Sequence, residues 1–339
     1  MKVAILTFHN SPNNAGAVLQ AWALQRTIEK LGHNASIVDY HRLKGDLVPW
    51  WSFKTLRGLF YTFKRFPLEM MRLGKCRRFR KRNLNLVGTQ YGGRVSYKDS
   101  DAFIVGSDQV FNPTNNESNP DFLLDFAPDG KKRIAYGASF GTDKFLKEYV
   151  QMLKDLLPRF YALSVRETTG VETVKRIADI DAQVVLDPTL LLDGSEYRHL
   201  FVNELKHIPE DPYVFLYIIG SHSEARRIAE EKAIEIGARN VIVMTNKRAE
   251  WHLPQVGMFR RIHVFTPADF LSYISNAAYV VTNSFHGTAF SIIFNRRFEV
   301  LKNGTSGDDR MATLLATAES GGLKGLRSKS INFLKASLS

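Results

Sequence analysis

Residues 280–290 read Val280-Val281-Thr282-Asn283-Ser284-Phe285-His286-Gly287-Thr288-Ala289-Phe290. An apolar run ends in small polar residues, a histidine and a glycine, and then becomes apolar again. This pattern is typical of a buried strand that leads into a helix, which we expect from Thr288 to Phe294. In open α/β sheets, ligands bind just outside such strand ends. His286 is therefore a candidate proton-transfer group, and the alternative is a structural histidine beside a capped helix.

The same design recurs along the chain. Val3–Phe8 reads as a strand, Val18–Leu31 as a helix that ends at Gly32, and Ala35–Asp39 as the next strand, which together form a βαβ unit. Further apolar runs end in short polar or glycine-containing tips at 106–109, 136–141, 166–168, 187–189 and 220–222. This repeated pattern of apolar runs that end in turn residues predicts an α/β fold with helices on the faces of its sheets.

The order of these elements predicts two Rossmann-like domains that face a cleft. We expect the first domain at 1–195, with a basic helical excursion at about 46–85. The second domain is expected at 205–325, and 326–339 is expected to form a C-terminal tail.

The composition excludes several classes of protein. The 339 residues are 44% hydrophobic and 24% charged, as in globular proteins that fold in water. No apolar run approaches the roughly 20 residues that span a bilayer, and the N-terminus does not resemble a secretion signal. The single cysteine, Cys76, cannot form an internal disulfide and suits a reducing cytoplasm. HxxxH, HExxH and GxGxxG spacings are absent, which argues against metalloprotease and standard dinucleotide sites. We expect no metal and no cofactor.

The net charge of +12 is concentrated in one segment. The basic residues between Lys54 and Arg82 alternate with aromatic and aliphatic residues, and only Glu69 opposes them. This composition suits a helix on an anionic membrane surface. The alternatives are a solvated helix face and, less favoured because no nucleic-acid motif accompanies the charge, a surface for nucleic acid. The basic residues are Lys54, Arg57, Lys64, Arg65, Arg72, Lys75, Arg77, Arg78, Arg80, Lys81 and Arg82.

Six ordered blocks of this sequence resemble the polysaccharide pyruvyl transferase family. They extend from residue 1 to about 295, and together they are far more specific than any one block. The blocks are Ile5–His9 with Asn14–Gln20, Val105–Asn112, Tyr136–Gly141, Ser164–Glu167, Val185–Thr189 and Thr282–Gly287.

The resemblance implies a fold similar to that of the GT-B glycosyltransferases. It also implies the transfer of pyruvate from phosphoenolpyruvate to a sugar as a ketal, with release of phosphate. The family's catalytic histidine corresponds to His286. Many members carry an arginine two residues before that histidine, where this chain has Ser284. Our candidate for the missing cation is Arg166, whose alternative role is a structural ion pair with Glu167 or Asp187.

Other residues at the strand tips receive weaker assignments. Phosphoenolpyruvate needs cations and oriented N–H donors, so we assign Asn283, Ser284, Gly287 and Thr288 to it alongside Arg166. Asp108 is a candidate additional base. We interpret Asp187-Pro188 as structural. Each of these residues has a competing role as a cap or turn residue. The candidates for the acceptor sugar or the cleft are Asn14, Gly16, Gln20, Ser107, Gln109 and Ser139.

The sequence therefore predicts a cytoplasmic pyruvyl transferase of surface, capsular or exopolysaccharide biosynthesis. We expect peripheral attachment to the inner membrane face through Lys54–Arg82 and a lipid-linked oligosaccharide as acceptor. Two alternatives remain open: a nucleotide-sugar glycosyltransferase of the GT-B type, and a non-catalytic protein that binds a membrane or nucleic acid.

Overall fold

The computed structural model of the chain describes residues 1–10, 14–41, 56–203, 208–220, 222–245, 257–302 and 308–339, with the backbone alone for 56–65. Positions 46–55 of the predicted basic segment lie outside this description.

Seven parallel strands form the first sheet, in the order β3-β2-β1-β4-β5-β6-β7. Parallel strands are covered by helices on both faces, so their sequences are continuous apolar runs; Ala102–Val105 is buried at every position. The strands are β1 (Lys2–Leu6), β2 (Asn34–His41), β3 (Leu86–Tyr91), β4 (Ala102–Val105), β5 (Lys132–Ala138), β6 (Ala162–Val165) and β7 (Gln183–Val184).

Five parallel strands form the second sheet, in the order β10-β9-β8-β11-β12. They are β8 (Tyr213–Ile218), β9 (Asn240–Thr245), β10 (Phe259–Arg261), β11 (Tyr279–Thr282) and β12 (Phe298–Val300). The predicted α/β fold with parallel sheets is confirmed, since the strands of both sheets pair in parallel and helices lie between most of the successive strands.

The helices begin and end as follows: α1 (Ala15–Lys30), α2 (Leu56–Asn83), α3 (Pro113–Asn116), α4 (Lys147–Leu156), α5 (Thr168–Ala178), α6 (Gly194–Phe201), α7 (Ala225–Glu235), α8 (Pro267–Asn276), α9 (Phe285–Ile293), α10 (Asp308–Glu319) and α11 (Leu323–Leu338). In the described part of the chain, no helix is both long and apolar enough to cross a membrane.

A chain of buried aromatic rings joins the helices of the two sheets. Trp22 of α1 contacts Tyr197 of α6, Tyr197 packs edge-on against Phe290 of α9, and Phe290 packs against Phe270 of α8. Buried aromatic pairs contribute about 0.5–1.5 kcal/mol each beyond the area that they bury. This packing fixes α1 of the first sheet against α9 of the second.

Two local predictions were wrong. Helix α9 begins at Phe285 rather than Thr288, because the Ser284 hydroxyl accepts a hydrogen bond from the Gly287 N–H and caps the helix there. The residues expected to form a C-terminal tail form helix α11. This helix packs back on the first sheet, where the Ser330 hydroxyl accepts from the Leu186 N–H at 2.9 Å.

Each sheet has one point where the strand order reverses direction. In the first sheet it lies between β1 and β4, and in the second between β8 and β11. Crevices that bind ligands open beyond the carboxyl ends of the strands at such points. Asp108 follows β4 and His286 follows β11, so both candidate catalytic residues lie at a switch point.

Candidate active site

The turn after β11 is held rigid by its own side chains. The Asn283 amide accepts from the Ile219 N–H and donates to the Ile219 carbonyl, and the Thr282 hydroxyl donates to Tyr217 O at 2.7 Å. A Cβ atom on Gly287 would lie 2.3 Å from Thr282 Oγ1, so only glycine allows this approach. The turn therefore presents the positive N-terminal end of α9 to the crevice.

His286 lies in the first turn of α9 and packs against the first turn of α1. A Cβ atom on Gly16 would be 2.2 Å from His286 Nδ1, so the ring rests directly on the glycine backbone. The ring is buried, and within the described residues its Nε2 has no hydrogen-bond partner. Burial lowers the pKa of His286, and the nearby Asp187 and Asp108 only partly oppose that effect.

Asp187 lies beneath this histidine and joins it to Arg166. Asp187 Oδ2 is 3.8 Å from His286 Nε2 and accepts hydrogen bonds from Arg166 Nη1 at 2.6 Å and from the Ser107 hydroxyl at 2.8 Å. Burial would raise the pKa of Asp187, but the charges of His286 and Arg166 together with bonds from Thr189 hold it at about 2. Asp187 has the structural role assigned to it, since it caps the turn at Thr189, and it also connects Arg166 with His286.

Arg166 is buried, and only part of its guanidinium is paired. Nη1 contacts Asp187 and Ser107, Nη2 lies 3.9 Å from Asp108 Oδ1, and the guanidinium stacks 4.5 Å from the Phe285 ring. Among the described residues, neither Nε nor Nη2 has a hydrogen-bond partner. The predicted ion pair with Asp187 exists, and it leaves two donors available for a ligand.

Asp108 adopts a strained backbone conformation at the tip of β4. Its φ of +78° lies in the left-handed region, where a side chain other than that of glycine costs about 1–3 kcal/mol. The strain is held by the chain on either side, since Asp108 O accepts from the N–H groups of Val110 and Ser139. Strained residues held in this way cluster at functional sites.

Arg310 is a second cation of this site, which the sequence pattern does not predict. It lies in the first turn of α10, and burial together with the neighbouring charge of Arg166 lowers its pKa to about 10. With its amide oxygen turned toward Arg310, Gln109 accepts from Nη2 at 2.8 Å. Within the described residues, Nε has no hydrogen-bond partner. Because Ser284 replaces the arginine that many family members carry before the histidine, the sequence indicates that another cation is needed. No motif in the sequence identifies Arg310, 24 positions after His286, as that cation.

Several predicted ligands make intramolecular hydrogen bonds instead. Asn14 caps α1, and the Gln20 amide donates to Thr7, Phe8 and Ala17 inside the protein. The Thr288 hydroxyl donates to Ser284 O. Ser139 is buried near Asp108, and its hydroxyl has no partner among the described residues. The side chains that converge are thus His286, Asp187, Arg166, Ser107, Asp108, Gln109 and Arg310.

The converging groups form a site suited to an anion that can accept a proton. Unpaired guanidinium donors and the N-terminal ends of α1 and α9 favour negative charge. A buried histidine without a hydrogen bond on Nε2 can transfer a proton. In the described part of the chain, no group of three His, Cys, Asp or Glu side chains is arranged to hold a metal ion.

Solved structures share this fold. UDP-GlcNAc 2-epimerase from Methanocaldococcus jannaschii is 15% identical with a TM-score of 0.51, covering 98% of this chain and 92% of that chain. The enzyme from Neisseria meningitidis, bound to UDP-GlcNAc, is 9% identical with a TM-score of 0.50, covering 100% and 99%. A putative UDP-N-acetylglucosamine 2-epimerase from Listeria monocytogenes is 11% identical with a TM-score of 0.50, covering 99% and 90%. The predicted likeness to GT-B folds is confirmed.

Comparison with curated proteins finds no match. The family model of polysaccharide pyruvyl transferases matches residues 14–304, which include the strand tips that carry His286, Asp108 and Arg166. The chain therefore belongs to the polysaccharide pyruvyl transferase family.

Proposed function

We propose that this protein transfers pyruvate from phosphoenolpyruvate to a sugar of a surface or capsular polysaccharide precursor, as a ketal, with release of phosphate. The observation that carries the proposal is a pair of arginines whose charges act on His286, the buried Arg166 and the partly buried Arg310. Within the described residues, each of them has at least one N–H donor without a hydrogen-bond partner. Phosphoenolpyruvate carries a phosphate and a carboxylate, and guanidinium groups are well suited to both.

Arg166 and Arg310 would bind the donor. Each cation raises the cost of burying the other, as the lowered pKa of Arg310 indicates. An anion between them removes this repulsion and supplies acceptors for Nε and Nη2 of Arg166 and for Nε of Arg310, which have no partner among the described residues. We assign Arg310 to the task that the motif arginine performs in other members, since Ser284 at that position is a helix cap.

His286 would act as the acid. Its lowered pKa leaves the free ring neutral near pH 7, and an incoming anion favours the protonated form. The ring then gives its proton to the methylene carbon of phosphoenolpyruvate, so that C2 becomes an oxocarbenium-like centre. Asp187 stabilises the imidazolium from 3.8 Å.

The remaining steps use two hydroxyl groups of the sugar. Each hydroxyl loses its proton as its oxygen bonds to C2, and the bond between C2 and the phosphate oxygen breaks. One proton stays on the new methyl group and the other leaves on phosphate. Asp108, at the strained tip of β4, is the candidate base for a hydroxyl.

A defined assay tests the proposal. The protein is incubated with phosphoenolpyruvate and p-nitrophenyl glucoside, galactoside, mannoside and N-acetylglucosaminide, and products are followed by mass spectrometry and phosphate release. We expect a product heavier by one ketal-linked pyruvate and an equal amount of phosphate. Turnover of UDP-sugars with release of UDP, and none of phosphoenolpyruvate, would favour the glycosyltransferase alternative instead.

Helix α2 supports attachment to an anionic membrane surface. Its buried residues are Glu69, Arg72, Cys76 and Phe79, and other positions between 66 and 82 expose large apolar side chains followed by cations. In a peripheral helix, apolar side chains enter the interface between water and lipid, and cationic side chains contact the anionic headgroups. The exposed residues are Phe66, Leu68, Met70 and Met71, then Lys75, Arg77, Arg78, Lys81 and Arg82. A lipid-linked acceptor would lie at the same surface.

A further inference from the structure

We propose that a pocket beside Arg310 binds the acceptor hexose and that Glu167 orients one of its hydroxyls. This inference rests on the proposed function and extends it from the donor to the acceptor. The pocket has a volume of about 300 Å³, at the lower end of the ~300–1,000 Å³ range of small-molecule sites. Its walls are the loop 140–143 after β5, the first turns of α5, and the start of α10.

Glu167 is the buried carboxyl group of this pocket. The residue is 3% exposed; Oε1 accepts from the Phe140 N–H at 3.0 Å, and Oε2 has no partner among the described residues. Although Glu167 occupies the N-cap position of α5, its side chain makes no capping bond. A buried carboxylate oxygen without a donor is costly, so its presence indicates that a ligand supplies one.

The charges of the lining favour a polyol over phosphoenolpyruvate. Carboxyl groups outnumber guanidinium groups four to two, namely Asp143, Glu167, Glu172 and Asp309 against Arg176 and Arg310. This excess would repel a second phosphate- and carboxylate-bearing molecule. Carboxylates accept hydrogen bonds from sugar hydroxyls, and the Thr169 hydroxyl on the same wall can donate or accept. The Thr173 hydroxyl donates to Thr169 O at 2.8 Å and can still accept a hydrogen bond from a sugar.

Arg310 connects this pocket with the donor site. It lines the pocket, and its charge interacts with Arg166, Glu167, Asp108 and Asp187. Arg166 and Glu167 are neighbours in the chain: the first contacts Asp187 and the second the pocket loop. A hexose in the pocket would thus present its hydroxyls toward C2 of phosphoenolpyruvate.

Thr169→Trp tests the pocket without disturbing the core, because Thr169 is exposed at its mouth. Thr168→Trp is the matched control, an exposed neighbour that does not line the pocket. With the p-nitrophenyl hexoside that the wild type uses best, we expect T169W to raise the acceptor KM at least tenfold and to leave the Kd of phosphoenolpyruvate within twofold. T168W should change neither. Glu167→Gln should weaken saturation-transfer signals of the hexoside while phosphoenolpyruvate still binds.

The outcomes separate the two proposals. If the wild type pyruvylates the hexoside and neither T169W nor E167Q alters hexoside binding or KM, the pocket assignment is wrong and the proposed function stands. A tenfold loss of phosphoenolpyruvate affinity in T169W would make the pocket a donor site and would also overturn it. If the wild type neither binds phosphoenolpyruvate nor forms a ketal, both proposals fail.

Discussion

Gly16 and His286 lie in direct contact, although they belong to helices of different sheets. The absence of a Cβ atom at residue 16 lets the imidazole rest on the first turn of α1, 2.2 Å from where that atom would be. The ring is therefore held between the N-terminal ends of two helices. The positive ends of both helices favour a bound anion, and they disfavour a protonated imidazole when no anion is bound.

Gly16→Ala should displace the histidine. The added methyl group cannot coexist with the ring, and a shift of about 1 Å at a catalytic group costs on the order of 10²-fold in rate. We expect that loss in kcat, with destabilisation of about 1–3 kcal/mol from overpacking. Gly325→Ala is the control, since it lies in helix α11 with open space around its Cβ position. Equal kcat values for the two variants would disprove the contact's importance.

His286→Asn should lower kcat by about 10²–10⁴-fold if the ring transfers a proton. Binding of phosphoenolpyruvate should survive, because the arginines remain. His199→Asn, at an exposed histidine of α6, should leave the rate unchanged. Stopped-flow phosphate release and a binding titration check both parts, and a loss in H286N below tenfold would argue against the acid role.

Arg310→Gln should weaken phosphoenolpyruvate binding without loss of stability. A hydrogen bond to a charged group contributes about 1.5–3 kcal/mol, so the Kd should rise roughly 10- to 150-fold. In the free protein this cation is disfavoured by burial and by Arg166, so the melting temperature should stay equal or rise. Arg227→Gln, on the exposed face of α7, serves as the control for both measurements. A drop in melting temperature with unchanged Kd would show a structural role instead.

Binding of phosphoenolpyruvate should take up a proton. The pKa of His286 is lowered in the free protein, so the ring is neutral above pH 7, and the anion raises that pKa on binding. Uptake of a proton on binding means that affinity falls as pH rises. Above pH about 7 the phosphate of the ligand is already doubly ionised and does not contribute. Calorimetry in buffers of different ionisation enthalpy should detect the uptake, and H286N should abolish it.

Helix α2 should bring the protein to anionic vesicles. Each Lys or Arg near such a surface contributes about 1 kcal/mol, so changing Lys75, Arg77, Arg78, Lys81 and Arg82 to Gln should reduce co-sedimentation with phosphatidylglycerol vesicles by more than tenfold. Activity on a soluble hexoside should be unaffected. Replacing Phe66 and Met70 by Ser should also weaken binding, whereas serine at the exposed Leu146 and Ile234 should not. Parallel loss of vesicle binding and soluble activity would refute a surface role.

Much of the fold was predictable because buried parallel strands require apolar runs and their ends require turns. The strands that lead to His286 and Asp108 were located from this pattern. Helix α11 was not predicted, because its Lys- and Ser-rich sequence shows no strong apolar face. In the structure its Leu334 and Leu338 are buried against the rest of the protein.

The sequence by itself determined the fold class, the family and the strand tips that carry His286, Asp108 and Arg166, since these depend on local pattern and on blocks in order. Only the tertiary structure decided that Asp187 connects Arg166 with His286, that the imidazole of His286 packs on the backbone of Gly16, and that Arg310 supplies the second cation. These relationships join residues that are far apart in the chain, and electrostatic and steric fit between such residues exists only after the two sheets have packed together.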